Sequence, residues 1–232
     1  DIKKKIRETK ADFGIAFDAD GDRAFFIDET GKTVSGSNLT AIIAKSILKK
    51  HPGETILYNV ICSKAVPEII KKYGGKPVRV RVGHSPIKQK MREFNAIFAG
   101  EHSGHFYFRD NYYADSGLIA ILEVIELISE DGRSLSQIVA EVEKYFSSGE
   151  INFKVKDSEK IIRQIEKLHR DAKKIDRLDG VTVEYPSYWF NVRPSHTEPL
   201  VRVNLEADNQ QLMIQQLKNV INEIENLGGK KV

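Results

Sequence analysis

Ile15-Ala16-Phe17-Asp18-Ala19-Asp20-Gly21-Asp22-Arg23 decides how this 232-residue chain is read. The apolar run from Phe13 to Phe17 has the length and composition of a buried strand, and a second run, Ala24 to Ile27, begins straight after Arg23. Between them three carboxylates alternate. A tight loop at a strand end turns Asp18, Asp20 and Asp22 towards one point. Clustered negative charges repel unless a cation sits among them, and all-oxygen ligation suits a hard ion such as Mg²⁺. Arg23 then stands beside the ion as a fixed positive charge, shaped to receive a phosphate.

Two other readings of the same residues compete. Asp-x-Asp-x-Asp with Glu29 at the twelfth position superficially fits an EF-hand loop, but Arg23 stands where the turn needs glycine, and the flanks are strand-like. A strand ending in Asp-x-Asp-Gly also resembles the start of haloacid dehalogenases, whose first Asp is a phosphoryl-accepting nucleophile. That family expects Thr where Asp22 stands. A plain solvated turn accounts poorly for three aspartates at strict alternation between apolar strands.

Outward from this loop, residues 1–10 are charged and helix-compatible, and Glu29-Thr30-Gly31-Lys32 turns the second strand into a third near Thr33-Val34. Leu39, Ile42, Ile43, Ile47 and Leu48 share one helical face after the capping candidates Ser37 and Asn38. Strands and helices then alternate. Strands are expected at 55–60, 78–82, 96–99 and 105–108. Helices are expected over 63–73, from Ser85-Pro86 to about Phe94, from Asp115 or Ser116 through Ile128, and from Ser134 through Phe146. That order argues for a sheet covered on both faces. Ser147-Ser148-Gly149 reads as a linker. Beyond it come a strand (151–155), a helix (158–173), three strands (181–185, 188–192, 200–206) and a last helix (209–227). This is a small α+β domain with helices on one face of an antiparallel sheet.

Composition narrows the function classes. With 41% hydrophobic and 30% charged residues the chain reads as an ordinary soluble protein. Its formal charge of +3 is too small to argue for nucleic acid. No apolar run reaches membrane-spanning length and no signal peptide opens the sequence. Cys62 is the single cysteine, which excludes an internal disulfide and agrees with a reducing, cytoplasmic location. There is no initiating Met, and the opening residues read as the tail of a helix, so a piece of a longer protein is expected.

Three further loops carry chemistry. In Gly100-Glu101-His102-Ser103-Gly104-His105, glycines at both ends allow close backbone approach to a ligand, and Glu101, Ser103 and His105 alternate onto one face. A carboxylate among hydroxyls is a common way to hold a sugar; a polar hairpin turn is the plainer explanation. In Arg193-Pro194-Ser195-His196-Thr197-Glu198-Pro199, a guanidinium, two hydroxyls and backbone N–H groups suit a phosphate dianion. Val82-Gly83-His84-Ser85-Pro86 turns from strand to helix, with Lys88 and Lys90 in the first turns, so that a helix N-terminus can face an anion.

Taken together, these loops closely resemble the C-terminal half of the phosphomannomutase/phosphoglucomutase (α-D-phosphohexomutase) family, over essentially the whole chain. The matching motifs are the metal loop Asp18–Arg23, the sugar loop Gly100–His105 and the phosphate loop Arg193–Pro199. The resemblance implies an α/β fold: a three-layer mixed α/β domain followed by a small α+β (TBP-like) domain, preceded by the end of another α/β domain. Residues 1–34 would end the second domain of a four-domain parent, 35–147 form the third and 148–232 the fourth. It further implies phosphoryl transfer between O1 and O6 of a hexose phosphate (mannose or glucose) through a hexose 1,6-bisphosphate. Mg²⁺ would lie on Asp18, Asp20 and Asp22, with Arg23 on the transferred phosphoryl. Glu101 and Ser103 would bind sugar hydroxyls, and Arg193, Ser195, His196 and Thr197 the distal phosphate. Gly83, His84 and His105 would line the cleft, either histidine assisting proton transfer. The family's phosphoserine loop has no counterpart in these residues, so the partner expected is the missing N-terminal portion, and this chain alone is expected to be inactive. Ile61 stands where many relatives carry a cleft lysine, with Lys64 nearby, and His196 replaces a more usual Asn or Gly. A free-standing sugar-phosphate binding module and an Asp-nucleophile phosphatase are the alternatives.

Overall fold

The computed structural model describes residues 2–195 and 198–232. Two compact units divide the chain, Asp1–Lys144 and Tyr145–Val232.

The first unit opens with α1 (Ile2–Thr9), β1 (Phe13–Phe17), β2 (Ala24–Asp28) and β3 (Thr33–Val34), the three strands forming one antiparallel sheet. The register Phe17↔Ala24 makes residues 18–23 the connection of the β1–β2 hairpin. After these come α2 (Gly36–Lys50), β4 (Thr55–Asn59), α3 (Ala65–Lys72), β5 (Lys76–Val80), α4 (His84–Glu93), β6 (Phe98–Gly100), β7 (Phe106–Phe108), β8 (Ala114–Asp115), α5 (Gly117–Asp131) and α6 (Leu135–Ala140). Strands β4 to β8 form a mixed sheet in the order β5-β4-β6-β7-β8, parallel across β5-β4-β6 and antiparallel beyond.

Side-chain alternation along these strands builds two cores, one on each face of the mixed sheet. Ile56, Phe98, Phe106 and Phe108 pack with α2, α3, α5 and α6. Their neighbours Leu57, Ala99 and Tyr107 pack with Ile87 and Met91 of α4. The sheet is therefore sandwiched between helices, as the alternating pattern predicts.

In the second unit β9 (Phe146–Lys154), α7 (Ser158–Leu168), β10 (Lys174–Asp176), β11 (Val181–Glu184), β12 (Tyr188–Pro194), β13 (Leu200–Ala207), α8 (Gln210–Asn226) and β14 (Lys230–Lys231) form a six-stranded antiparallel sheet, ordered β10-β11-β12-β13-β9-β14. Ile161 and Ile165 of α7 and Val220 and Ile224 of α8 cover one face, against Phe153, Val183, Phe190 and Val203.

Four expectations need correction. The helix expected from Ser134 through Phe146 stops at Ala140, and Phe146 opens β9. Ser147-Ser148-Gly149 is no linker: it lies inside β9, where Ser147 pairs with Glu206 and Ser148 Oγ accepts from Leu205 N–H at 3.0 Å. Ser35, not Ser37 or Asn38, caps α2, its side chain accepting from Asn38 N–H. Helix α4 starts at His84 rather than after a Ser85 cap, because Gly83 adopts φ +126° and its carbonyl accepts from Ile87 N–H. Among the described residues no helix is long and apolar enough to cross a membrane.

Candidate active site

The β1–β2 hairpin places its carboxylates as the spacing requires: Asp18, Asp20 and Asp22 each offer an oxygen, all within 4.8 Å of one another. Gly21 sits at φ +76°, which lets the connection fold back tightly. Arg23 binds Asp18 twice, its amide donating to Oδ1 at 3.2 Å and its Nε to Oδ2 at 2.5 Å. Desolvation pushes the Asp18 carboxyl up, but these contacts outweigh it and hold the pKa at about 2. Asp22 Oδ1 is buried without a hydrogen bond; His105 Nε2 approaches to 3.4 Å. Three carboxylates, one with an unpaired buried oxygen, are a donor set that fits a hard divalent cation.

The glycine-bounded loop between β6 and β7 lies directly against this hairpin. Arg23 and His105 form an antiparallel bridge, and Ala24 N–H donates to Gly104 O at 3.2 Å. Within the loop, Glu101 N–H donates to His105 O and Gly104 N–H to Glu101 O. Gly36 at the start of α2 supports it from behind. A Cβ there would stand 2.4 Å from the backbone oxygen of His102 and 2.7 Å from that of Glu101.

Glu101 is 2% exposed and accepts three hydrogen bonds, from Tyr107 OH at 2.7 Å, Asn59 Nδ2 at 3.1 Å and the Gly83 N–H at 3.3 Å. Its charge and burial push the Tyr107 hydroxyl well above the usual phenol range, burial being the larger cause. Ser103 Oγ lies 3.1 Å from His105 Nδ1, and His84 Nε2 lies 3.0 Å from His105 Nε2. Burial lowers the His105 pKa; Glu101 opposes and His84 adds to that shift. His84 Nδ1 is 3.2 Å from Asp115 Oδ2, whose partner oxygen is 2.9 Å from Lys88 Nζ.

Asp18, Asp20, Asp22, Arg23, Gly83, His84, Glu101, Ser103 and His105 are thus brought to one region of the first unit. Asn59, Tyr107 and Asp115 join them unannounced by any motif. Asn59 ends β4 and Asp115 ends β8, and strand ends beside two functional loops are the signal that could have found them. Ile61 is buried at 6% exposure, so no cationic side chain occupies its position.

In the second unit, Arg193 lies at the end of β12, 5% exposed, its Nη2 donating to Glu150 Oε2 at 2.6 Å. Glu150 Oε1 accepts from Arg202 at 3.2 Å, and Arg202 also reaches Ser195 Oγ at 3.4 Å. The Ser195 N–H is spent on Leu200 O, so in this loop its hydroxyl rather than its amide is presented. His196 and Thr197 lie outside the described residues.

The first unit is thus an α/β body in which a triple-carboxylate hairpin on a small antiparallel sheet abuts a glycine-bounded polar loop of the helix-sandwiched mixed sheet. Residues 35–145 match phosphoglucomutase/phosphomannomutase alpha/beta/alpha domain III, and residues 150–223 match the C-terminal domain of that family. The chain is 45% identical over 228 residues to a phosphomannomutase of Methanocaldococcus jannaschii, covering 97% of this chain and 51% of that protein. To an Escherichia coli phosphomannomutase it is 40% identical over 209 residues, 89% of this chain and 46% of the relative. It therefore spans about half the length of the curated relatives it matches. The crystal structure of a phosphoglucomutase/phosphomannomutase family protein from Burkholderia thailandensis superposes with TM-score 0.86 at 29% identity, covering 96% of this chain and 48% of that one. Aspergillus fumigatus N-acetylphosphoglucosamine mutase, solved with GlcNAc-6P and magnesium, shares the fold at TM-score 0.70 and 15% identity, over 97% of this chain and 52% of that one. This chain belongs to the phosphoglucomutase/phosphomannomutase family.

Proposed function

We propose that these residues carry the metal, hexose and distal-phosphate subsites of a Mg²⁺-dependent phosphohexomutase acting on mannose or glucose phosphates. The observation that carries the reading is the Arg23–His105 bridge, which sets the acidic hairpin against the Glu101-Ser103 loop. Residues 1–34 are assigned to the end of a second domain, 35–147 to a third and 148–232 to a fourth. A phosphoserine in sequence outside these 232 residues supplies the phosphoryl group.

Asp18, Asp20 and Asp22 hold Mg²⁺, which supplies neutralising charge to the phosphoryl oxygens. Arg23 offers a planar fork to the same oxygens. Glu101 and Ser103 take the sugar hydroxyls and orient the ring, with Gly83 allowing close approach. The attacking hydroxyl gives its proton to His84 or His105 as its oxygen bonds to phosphorus, the serine P–O bond breaks, and the departing serine oxygen takes up a proton to become the free hydroxyl. The hexose 1,6-bisphosphate so formed turns over and returns its other phosphoryl to serine. Arg193, Ser195, His196 and Thr197 hold whichever phosphate is not reacting.

The test is to supply the phosphoserine-bearing portion, in trans or as one polypeptide, with Mg²⁺. ³¹P NMR then follows the interconversion of hexose 1-phosphates and 6-phosphates. Conversion that needs both the added portion and Mg²⁺ is expected. No turnover of any hexose phosphate by the completed protein would end this reading.

A further inference from the structure

Beside the acidic hairpin lies a second group of ligating side chains with a different chemistry. One donor atom each of Asp22, His84, His105 and Asp115 falls within 4.8 Å of the other three. His84 Nε2 and His105 Nε2 are 3.0 Å apart, and Asp22 Oδ1 is 3.4 Å from His105 Nε2. Ligands at about 2.0–2.1 Å around a tetrahedral ion stand roughly 3.3 Å from one another, so these are the separations of atoms sharing one ion. Asp22 Oδ1 and Asp115 Oδ2 are both buried oxygens without a hydrogen bond, and the Asp115 side chain is only 8% exposed. Asp115 Oδ2 stands 3.2 Å from His84 Nδ1, on the ring edge away from His105, so a modest turn of the His84 ring decides which of its nitrogens faces the ion. Buried polar atoms are nearly always paired, and a cation would satisfy both oxygens. Lys88 Nζ holds the other Asp115 oxygen at 2.9 Å, which orients the carboxylate and leaves Oδ2 for the cluster.

We propose that Asp22, His84, His105 and Asp115 form a second cation site, selective for borderline ions of the Zn²⁺ or Co²⁺ kind. It shares Asp22 with the all-oxygen loop. Imidazole nitrogen favours these ions over Mg²⁺, which keeps to oxygen donors and water. An ion bound here takes both histidines out of proton transfer, so Zn²⁺ acts as an inhibitor. The binding stands on the geometry alone; only the inhibition rests on the proposed mutase activity.

Calorimetric titration of the 232-residue chain with Zn²⁺ in excess Mg²⁺ measures the site, and Co²⁺ reports its coordination through visible ligand-field absorption. One ion per chain is expected. His84→Gln and His105→Gln should each weaken binding tenfold or more, while Asp20→Asn leaves it within about threefold. Absence of Zn²⁺ uptake, uptake that survives both histidine substitutions, or uptake lost in Asp20→Asn overturns the site. If a histidine variant loses its thermal transition, imidazole ¹⁵N shifts of the unaltered chain replace it: both rings must respond to Zn²⁺. In the completed enzyme, Zn²⁺ held by the histidines with unchanged Mg²⁺-dependent turnover removes the inhibitory role. A completed enzyme with no turnover at all removes the mutase reading and leaves the binding result intact.

Discussion

Replacing Glu101 separates the structural from the ligand-binding role of the sugar-type loop. Its carboxylate is buried and accepts from Tyr107 OH, Asn59 Nδ2 and the Gly83 N–H. A carboxylate offers about four lone-pair sites, so three are engaged and one can take a substrate hydroxyl. Glu101→Ala strips the acceptor from three donors. Each buried unpaired donor costs about 1–3 kcal/mol, and water entering the space left by the side chain favours the low end, giving about 3 kcal/mol in all. At roughly 2–4 °C per kcal/mol for a unit of this size, the melting temperature of the first unit should fall by roughly 6–12 °C. Glu101→Gln keeps the volume. Its carbonyl can face Asn59 and Gly83 while its amide donates to the Tyr107 oxygen, so its cost should stay near 1 kcal/mol. The charge is gone, however, and hexose phosphate affinity should drop about tenfold, as expected when a charge-assisted bond becomes neutral. Circular dichroism melts of both variants, paired with calorimetric hexose phosphate binding, give the answer. An alanine variant melting within about 2 °C of the unaltered chain would show that the three donors are not stranded by its loss, since that shift is less than 1 kcal/mol. A glutamine variant as unstable as the alanine one would refute the reasoning.

Other perturbations read other contacts. Arg23→Gln removes the guanidinium from Asp18 Oδ2 and leaves the backbone amide on Oδ1, so Mg²⁺ affinity measured by calorimetry should rise by roughly fivefold; a fall would show that Arg23 preorganises the loop instead. Lys45 is buried against Glu141 at 2.6 Å, so Glu141→Ala should cost about 2 kcal/mol in urea unfolding, less than a fully buried pair because Glu141 is 39% exposed. Lys45→Met should stay within about 1 kcal/mol of the unaltered chain. Hydrogen bonds from Lys45 and then Arg133 lower the Glu141 pKa below its ordinary 4.5, so its stabilisation is complete above that pH and is lost as the pH falls. Glu141→Gln should flatten that acid limb, and an unchanged slope below pH 4.5 would count against the pairing. In the second unit, Glu150→Ala strands Arg193 and should lower the transition reported by Trp189, the single tryptophan, by about 2–3 kcal/mol, with added phosphate restoring part of it. An unmoved Trp189 transition would show that Arg193 needs no counter-charge.

The legible parts of this protein are those where local chemistry leaves few choices. Asp18, Asp20 and Asp22 alternate between two apolar runs, and a hairpin is the only short way to join such strands and let the carboxylates converge. Gly83 and Gly104 marked turns because each takes a positive φ, and Gly100 because a Cβ there would stand 2.2 Å from Thr40 Oγ1. What could not be read was set by partners distant in sequence. Phe146 to Gly149 looks like a helix end and a polar spacer, yet pairing with β13 makes it strand. Lys174 to Asp176 has no strand pattern of its own and is recruited by β11 through Ile175. Tyr107 and Asn59 read as ordinary strand residues, and only the folded sheet turns both towards Glu101. Likewise nothing near Arg193 in the sequence reveals that its charge is met by Glu150 from β9, two strands away across β13.

Arg23 ties the two loops of the first unit together and sets the order in which they can work. Its backbone bridges to His105, which fixes where the side chain starts, while its guanidinium and amide occupy the two oxygens of Asp18. A divalent cation drawn to Asp20 and Asp22 must compete with that guanidinium for Asp18. Were a cation to take that carboxylate, the guanidinium would be released while its backbone stayed in the bridge to His105. Its five donors would then be free to meet an anion. Cation binding at Asp18 and release of the Arg23 guanidinium would on this geometry be coupled through one side-chain rotation. Lysine could not substitute: it lacks the Nε contact that makes the exchange reciprocal, and it meets phosphate as a point charge without a fixed plane.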